Sequence, residues 1–149
     1  MSTHHQLLYH IVFSTKLRQR WLTADIRARL FPYLAGIAQS SGRYALQVGG
    51  IEDHVHLLLR IPAMVAVADA VRTLKANSSK WIHETYPQLR EFAWQDGYGA
   101  YTVSQSNFES VKSYIINQES HHQVKSFEDE YRALMERHQI EFDPRHLYG

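Results

Sequence analysis

Eight residues, His54-Val55-His56-Leu57-Leu58-Leu59-Arg60-Ile61, constrain this chain more than any other stretch. Glu52-Asp53 reads as a tight turn before them and Pro62 closes them, which bounds a strand of ordinary length. Side chains alternate along a strand, so Val55, Leu57 and Leu59 share the face that helices can cover. His54 and His56 project together from the other face, their Cα atoms about 6.5–7 Å apart. Two imidazoles at that spacing can converge on one metal ion, and polar rings on a central apolar strand are costly without partners. The same pattern also fits two satisfied or solvent-facing histidines, and the motif alone does not decide between them.

The flanking segments supply the rest of a sheet. Leu7–Ser14, rich in Ile, Val and Phe, reads as a first strand. Thr23 caps a helix to about Ser40, with Ile26, Leu30, Leu34 and Ile37 on its buried stripe and Pro32 expected to kink it. Tyr44–Gly50 is a second strand, in a hairpin with 54–61. A long helix follows over about 65–86, striped by Val67, Val71, Leu74, Trp81 and Ile82 and stopped by Pro87. The loop Trp94–Gly99 leads to a fourth strand, Ala100–Ser104. Ser106 and Glu109 are placed for a capping box opening a helix to about His121. A helix over Phe127–His138 and an irregular tail containing Tyr148 complete the order β-α-β-β-α-β-α-α. This predicts an α+β protein: a ferredoxin-like split β-α-β antiparallel sheet with helices on one face, plus C-terminal helices. One domain over 1–149 is expected, residues 122–149 being its C-terminal helix and tail. The fold by itself decides no chemistry.

The chain has no cysteine, which removes disulfides, thiolate metal sites and thiol catalysis. Any metal site must come from His, carboxylates and amides, a donor set suited to magnesium, manganese or a transition ion. No apolar run is long enough to cross a bilayer and no leader pattern opens the chain, so a cytoplasmic protein is expected. The net charge of +1 divides unevenly: ten Lys/Arg against four Asp/Glu over 1–80, six against eleven over 81–149. The basic half offers Lys16, Arg18, Arg20, Arg72, Lys75 and Lys80 as phosphate contacts, though an unevenly charged solvated surface accounts for it equally well.

On the helix before His121, Phe108, Val111 and Ile115 recur at i, i+3 and i+7, enough to seat it on a core. Tyr114, Gln118 and His121 make a separate stripe, so a phenol and an amide are presented one turn apart. Gln118 can give a metal its third ligand, with Tyr114 within reach of whatever that metal holds. An interfacial tyrosine and a solvated glutamine remain the plainer account of this helix alone.

Taken in order, these segments resemble the HUH-type single-tyrosine transposases, the small transposases of hairpin-ended bacterial insertion sequences and their REP-associated relatives. The resemblance rests on Tyr9-His10-Ile11-Val12-Phe13-Ser14-Thr15-Lys16, Glu52-Asp53-His54-Val55-His56-Leu57-Leu58, and Leu74-Lys75 with Ser78-Ser79. It continues through Trp94-Gln95-Asp96-Gly97-Tyr98-Gly99-Ala100-Tyr101 and Val111-Lys112-Ser113-Tyr114-Ile115-Ile116-Asn117-Gln118. It implies a divalent ion, Mg2+ or Mn2+, on His54, His56 and Gln118, with Tyr114 as the nucleophile that forms a 5′-phosphotyrosine. His121 and His122 follow Gln118 closely enough to replace or supplement it.

The resemblance further implies a single-stranded DNA substrate with a hairpin and a homodimer, commonly with the tyrosine of one subunit serving the histidines of the other. Lys16, Arg18, Arg20, Lys75 and Lys80 are candidate phosphate contacts, and Trp94, Tyr98 and Tyr101 candidate base-stacking rings. A domesticated relative that binds DNA hairpins without cutting is the main alternative, and a metal-dependent nuclease using water is another. Histidine-triad nucleotide hydrolases are disfavoured because their third alternating His would fall at Leu58. The repeated His-x-Thr/Ser element of two-histidine phosphodiesterases is not found.

Overall fold

Leu8–Ser14 (β1), Tyr44–Ile51 (β2), His54–Arg60 (β3) and Gly99–Val103 (β4) form one antiparallel sheet in the order β2-β3-β1-β4. That is the split β-α-β arrangement the sequence pattern predicts. The protein is described by a computed structural model covering residues 1–122 and 125–143, so the expected tail around Tyr148 lies outside the described residues. The two inner strands, β1 and β3, pair with Val12 opposite His56 and Ser14 opposite His54. Among the described residues no helix is long and apolar enough to cross a membrane.

Alternation sorts the two faces. Ile11, Phe13, Val55, Leu57 and Leu59 point to the side covered by Ala24–Ser40 (α1) and Val67–Thr85 (α2), which deliver Leu30, Leu34, Val71, Leu74 and Ile82 to the main core. Helix α1 continues through Pro32 as one element despite the missing amide donor. Ser14, Thr15 and Trp94-Gln95 staple the loop before β4 to the end of β1. Gln95 N donates to Ser14 O at 2.9 Å, and Trp94 Nε1 donates to the buried Ser78 Oγ at 2.9 Å.

The other face is covered by the expected C-terminal helices. Phe108–Ile116 (α3) packs on β2 and β3, a one-turn helix Gln118–His121 (α4) follows, and Phe127–Arg137 (α5) buries Phe127, Tyr131 and Leu134 against Val12 and Tyr101. The single helix predicted to His121 breaks at Asn117, whose backbone (φ −94°, ψ 24°) leaves the helical region. The predicted capping box does not form: Ser106 Oγ hydrogen-bonds Ser104 Oγ at 2.9 Å, and a 3-10 turn over Gln105–Asn107 leads into α3. Local serine-to-serine bonding has displaced the cap. Ser126 caps α5 instead, accepting from Asp129 N at 3.2 Å.

Gly49 decides how closely α3 approaches. A Cβ there would stand 2.2 Å from the Ile115 carbonyl oxygen, so only a glycine lets the helix lie on β2 at this depth. Gly49 is also the cross-strand partner of His56. Close packing at this point therefore brings Tyr114, the residue before Ile115, over the histidine face.

Candidate functional site

The second face of the sheet carries His10, Val12, Ser14, His54 and His56, all buried. Three imidazoles in such a place need polar partners, and each has one. His54 Nδ1 donates to Asp53 Oδ1 at 2.7 Å, and its Nε2 donates to Gln118 Oε1 at 3.1 Å, with Glu130 Oε1 at 3.4 Å. His56 Nε2 donates to Glu130 Oε1 at 3.0 Å, and its Nδ1 shares a 2.8 Å hydrogen bond with His10 Nε2. Tyr114 donates its hydroxyl to Glu130 Oε2. His122 Nε2 lies 3.2 Å from that oxygen and 3.0 Å from Gln118 Oε1. His121 Nε2 stands 3.3 Å from Glu130 Oε2 without hydrogen-bond geometry.

The structure thus gathers four residues singled out from the sequence, His54, His56, Tyr114 and Gln118, and His121 and His122 with them. Tyr114 meets the histidines of its own chain: its ring centroid is 5.7 Å from that of His56. Only Asn117 separates α3 from Gln118, and Gly49 lets α3 rest directly on the sheet.

Sequence reasoning missed two members. Glu130, on α5 and 1 % exposed, sits at the centre of the cluster. Its signal was a carboxylate inside the apolar stripe Phe127, Tyr131, Leu134, where burial demands a charged partner. His10 carries the same signature as the two strand histidines, a polar ring alternating with apolar neighbours on an inner strand.

Burial dominates the electrostatics, and the partners then split the rings. Burial opposes charge on His54, but the hydrogen bonds to Asp53 and Glu130 outweigh it and raise its pKa to about 9. His56 is fully buried and lowered to about 4, the pull of Glu130 being too small to compensate. His10 is held well below its ordinary value by burial and by His56. Glu130 is driven far below the carboxylate range by hydrogen bonds from His122, His54 and His56, which overcome burial. Burial and the adjacent Glu130 push the Tyr114 phenol above its usual range.

His54, His56, His122 and Glu130 each offer a ligand atom, all within 4.8 Å of one another. Donor atoms about 2.1 Å from one ion are separated by about 3.0–3.4 Å, the spacing found here between the ring nitrogens, Gln118 Oε1 and the carboxylate. The hydrogen-bond inventory agrees. His122 Nδ1 faces the Lys125 carbonyl at 2.7 Å while its Nε2 faces two further acceptors, and a neutral ring has only one N–H for both sides. The cluster's donor set could hold a metal ion. Asp53 behind His54 and His10 behind His56 orient the two rings as the outer partners of a metal site do.

The candidate DNA contacts are scattered. Arg18 pairs with Glu128, Arg72 with Asp69, and Lys80 approaches Glu84 at 4.0 Å. Lys75 is half-buried, donates to Gln95 O at 2.8 Å and to Gly97 O, and lies over the Phe13 ring. It therefore holds the 95–97 loop. Lys16 and Arg20 are exposed beside the end of β1. Tyr98 is half-buried and lines a groove between α2 and the 93–98 loop. Trp94 and Tyr101 are buried, Trp94 edge-on to Phe13 at 4.8 Å, so neither presents a free ring for stacking.

Residues 3–118 match the family described as transposase, IS200-like. The ISDra2 transposase TnpA of Deinococcus radiodurans is 32% identical over 119 residues, covering 76% of this chain and 85% of that protein. The transposase of insertion sequence element IS200 from Salmonella typhimurium is 31% identical over 116 residues, covering 74% and 75%. A solved structure of a Deinococcus radiodurans R1 protein, described as a transposase, superposes with a TM-score of 0.67 at 28% identity over 79% of this chain and 95% of that one. A REP-associated tyrosine transposase bound to a REP hairpin shares the fold, with a TM-score of 0.55 at 12% identity over 77% and 70%. Glu130 lies beyond the matched family residues, on α5.

Proposed function

Because the chain belongs to the IS200-like transposase family, we propose that it cuts and rejoins single-stranded DNA through a 5′-phosphotyrosine on Tyr114. The observation that carries this reading is the meeting of the Tyr114 hydroxyl with His54, His56 and Gln118 around one buried carboxylate. His54, His56 and Gln118 would hold a divalent ion, magnesium or manganese, with Glu130 Oε1 and His122 Nε2 in reach of the same point. When bound, such an ion supplies Lewis acidity to a non-bridging oxygen of the scissile phosphate.

The protein's own groups do the rest. Tyr114 forms the new bond to phosphorus, the bond from phosphorus to the 3′-oxygen breaks, and the departing 3′-oxygen gains a proton. Glu130 Oε2 accepts the hydrogen bond of the phenol and so aims its oxygen, while the phenolic proton passes to water and water returns one to the 3′-oxygen. Asp53 and His10 keep the two histidines in register, and Gln118 is itself held by its Nε2 donation to Tyr114 O at 3.2 Å. Glu130 opposes phenolate formation while its charge is uncompensated, so the nucleophile is quiet until a cation shares the site. A phosphotyrosine retains the energy of the cut bond, which suits a strand-transfer enzyme better than hydrolysis does.

One tyrosine per site means two chains for two cuts, and we read the working unit as a homodimer. Its DNA partner is read as a hairpin with flanking single strand, approached through the basic first half of the chain at Lys16 and Arg20. A denaturing gel of wild-type and Tyr114→Phe protein with labelled single strands from the flanks of its own gene, with manganese or a chelator, tests the reading. A covalent band needing both Tyr114 and metal is expected. Tight hairpin binding without any covalent band would overturn cleavage in favour of a binding-only protein.

A further inference from the structure

Tyr114 has two sides. Its hydroxyl addresses the histidine–carboxylate cluster, while its ring and that of His10 wall an adjoining cavity of about 340 Å3 between β4, the start of α3 and the end of α5. We infer that this cavity seats one nucleotide of the DNA strand, the one whose 5′-phosphate passes to Tyr114. The inference rests on Tyr114 being the nucleophile.

The volume falls at the lower end of the range of about 300–1,000 Å3 usual for small-molecule sites. Val103, Val111 and Leu134 give it apolar lining, as a base or sugar requires. At its rim Arg137 is exposed and makes no hydrogen bond or ion pair among the described residues. Its charge is close enough to act on Tyr114, His10 and His138 alike. An unpaired guanidinium beside a phosphate-attacking tyrosine matches a flanking phosphate. His138 is exposed and stacks on the buried Tyr101 with ring centroids 4.5 Å apart and planes 28° apart, so it offers a supported flat surface to a base. Asn107 brings a side-chain amide, also exposed and without a partner among the described residues, which can read a base edge.

The choice of nucleotide follows from the direction of attack. In an in-line displacement the leaving 3′-oxygen lies opposite the entering phenol, so the 5′ part of the strand departs on the side away from Tyr114. The 3′ part stays bonded to Tyr114 through its 5′-phosphate. The cavity, sharing a wall with that tyrosine, is where its first sugar and base can rest. Holding them there would keep the covalent end from rotating away before rejoining.

The test uses the full chain carrying Tyr114→Phe, which cannot react, observed by amide NMR during titration with thymidine 5′-monophosphate, thymidine and inorganic phosphate. Saturable shifts are expected at Val103, Asn107, Ser110 and His138 with the monophosphate. Both thymidine and inorganic phosphate should bind more weakly, and Arg137→Ala should weaken the monophosphate about tenfold while Arg137→Lys largely restores it. Shifts centred on the Arg72–Tyr98 groove, equal binding by Arg137→Ala, or equal binding of inorganic phosphate would overturn the inference. In parallel, wild-type protein is assayed for the covalent adduct. An adduct formed normally with no nucleotide in the cavity would overturn this inference alone. A seated nucleotide in a protein that never forms the adduct would overturn the Tyr114 reading, and with it the assignment of the cavity to the transferred end.

Discussion

Replacing Gly49 by alanine tests the packing that brings Tyr114 to the histidines. The added Cβ would stand 2.2 Å from the Ile115 carbonyl oxygen, 2.9 Å from its Cγ2 and 3.0 Å from its carbonyl carbon. Tolerated carbon-to-oxygen contacts begin at about 3.3 Å, so α3 must withdraw by about 1 Å. Neither neighbour can yield alone: the oxygen belongs to the helix backbone, and Ile115 is fully buried. The strain of an overpacked core contact costs about 1–3 kcal/mol. Withdrawal also carries Tyr114 and Gln118 away from His56 and His54, and about 1 Å of misplacement at a reacting group costs about 100-fold in rate. Urea denaturation and the rate of covalent adduct formation read the two effects separately. Gly36→Ala is the matched control, since its Cβ would meet nothing within 4 Å inside α1. It should gain about 0.5–1 kcal/mol and leave the rate unchanged. A Gly49→Ala protein within about 0.5 kcal/mol of wild type and cleaving at the wild-type rate would refute the role given to this contact.

Other consequences concern the cluster itself. Glu130→Gln should weaken Mn2+ binding, measured by electron paramagnetic resonance, by about tenfold or more, since it removes the central negative charge; unchanged affinity would exclude Glu130 from the ion's surroundings. Asp53→Asn should lower the same affinity by about 10–100-fold through loss of the carboxylate behind His54, with little change in fold by circular dichroism. In chelator, stability should peak near pH 6.5. His54, raised to about 9, contributes stability that is fully present below 6.5 and is lost as pH rises through 9. His56, lowered to about 4, leaves the unfolded chain binding the extra proton between 6.5 and 4, so stability also falls across that window as pH drops. A urea midpoint that climbs steadily from pH 5 to 9 would contradict this split.

The sheet was legible because its strands are short alternating runs between strong turn signals, and β3 alone told which face was core and which polar. Helix α3 was legible as a helix but not in its end, because nothing in Ile116-Asn117-Gln118 forbids continuation and the break is made by tertiary packing. His54, His56, Tyr114 and Gln118 could be grouped from spacing and resemblance. Glu130 could not, since pairing α5 with β1 and β3 is a long-range contact that no local period encodes. Lys75 and Trp94 show the opposite failure: types suited to DNA contact are spent on loop carbonyls and on the core.

The central claim is tested most directly by mapping the covalent adduct after digestion with a protease. With single strands labelled at the 3′ end in one sample and the 5′ end in the other, the 3′ label should remain on the protein, on the peptide containing Tyr114. Adduct on another tyrosine, or cut strands with no adduct in a metal-dependent reaction that Tyr114→Phe still performs, would contradict the account.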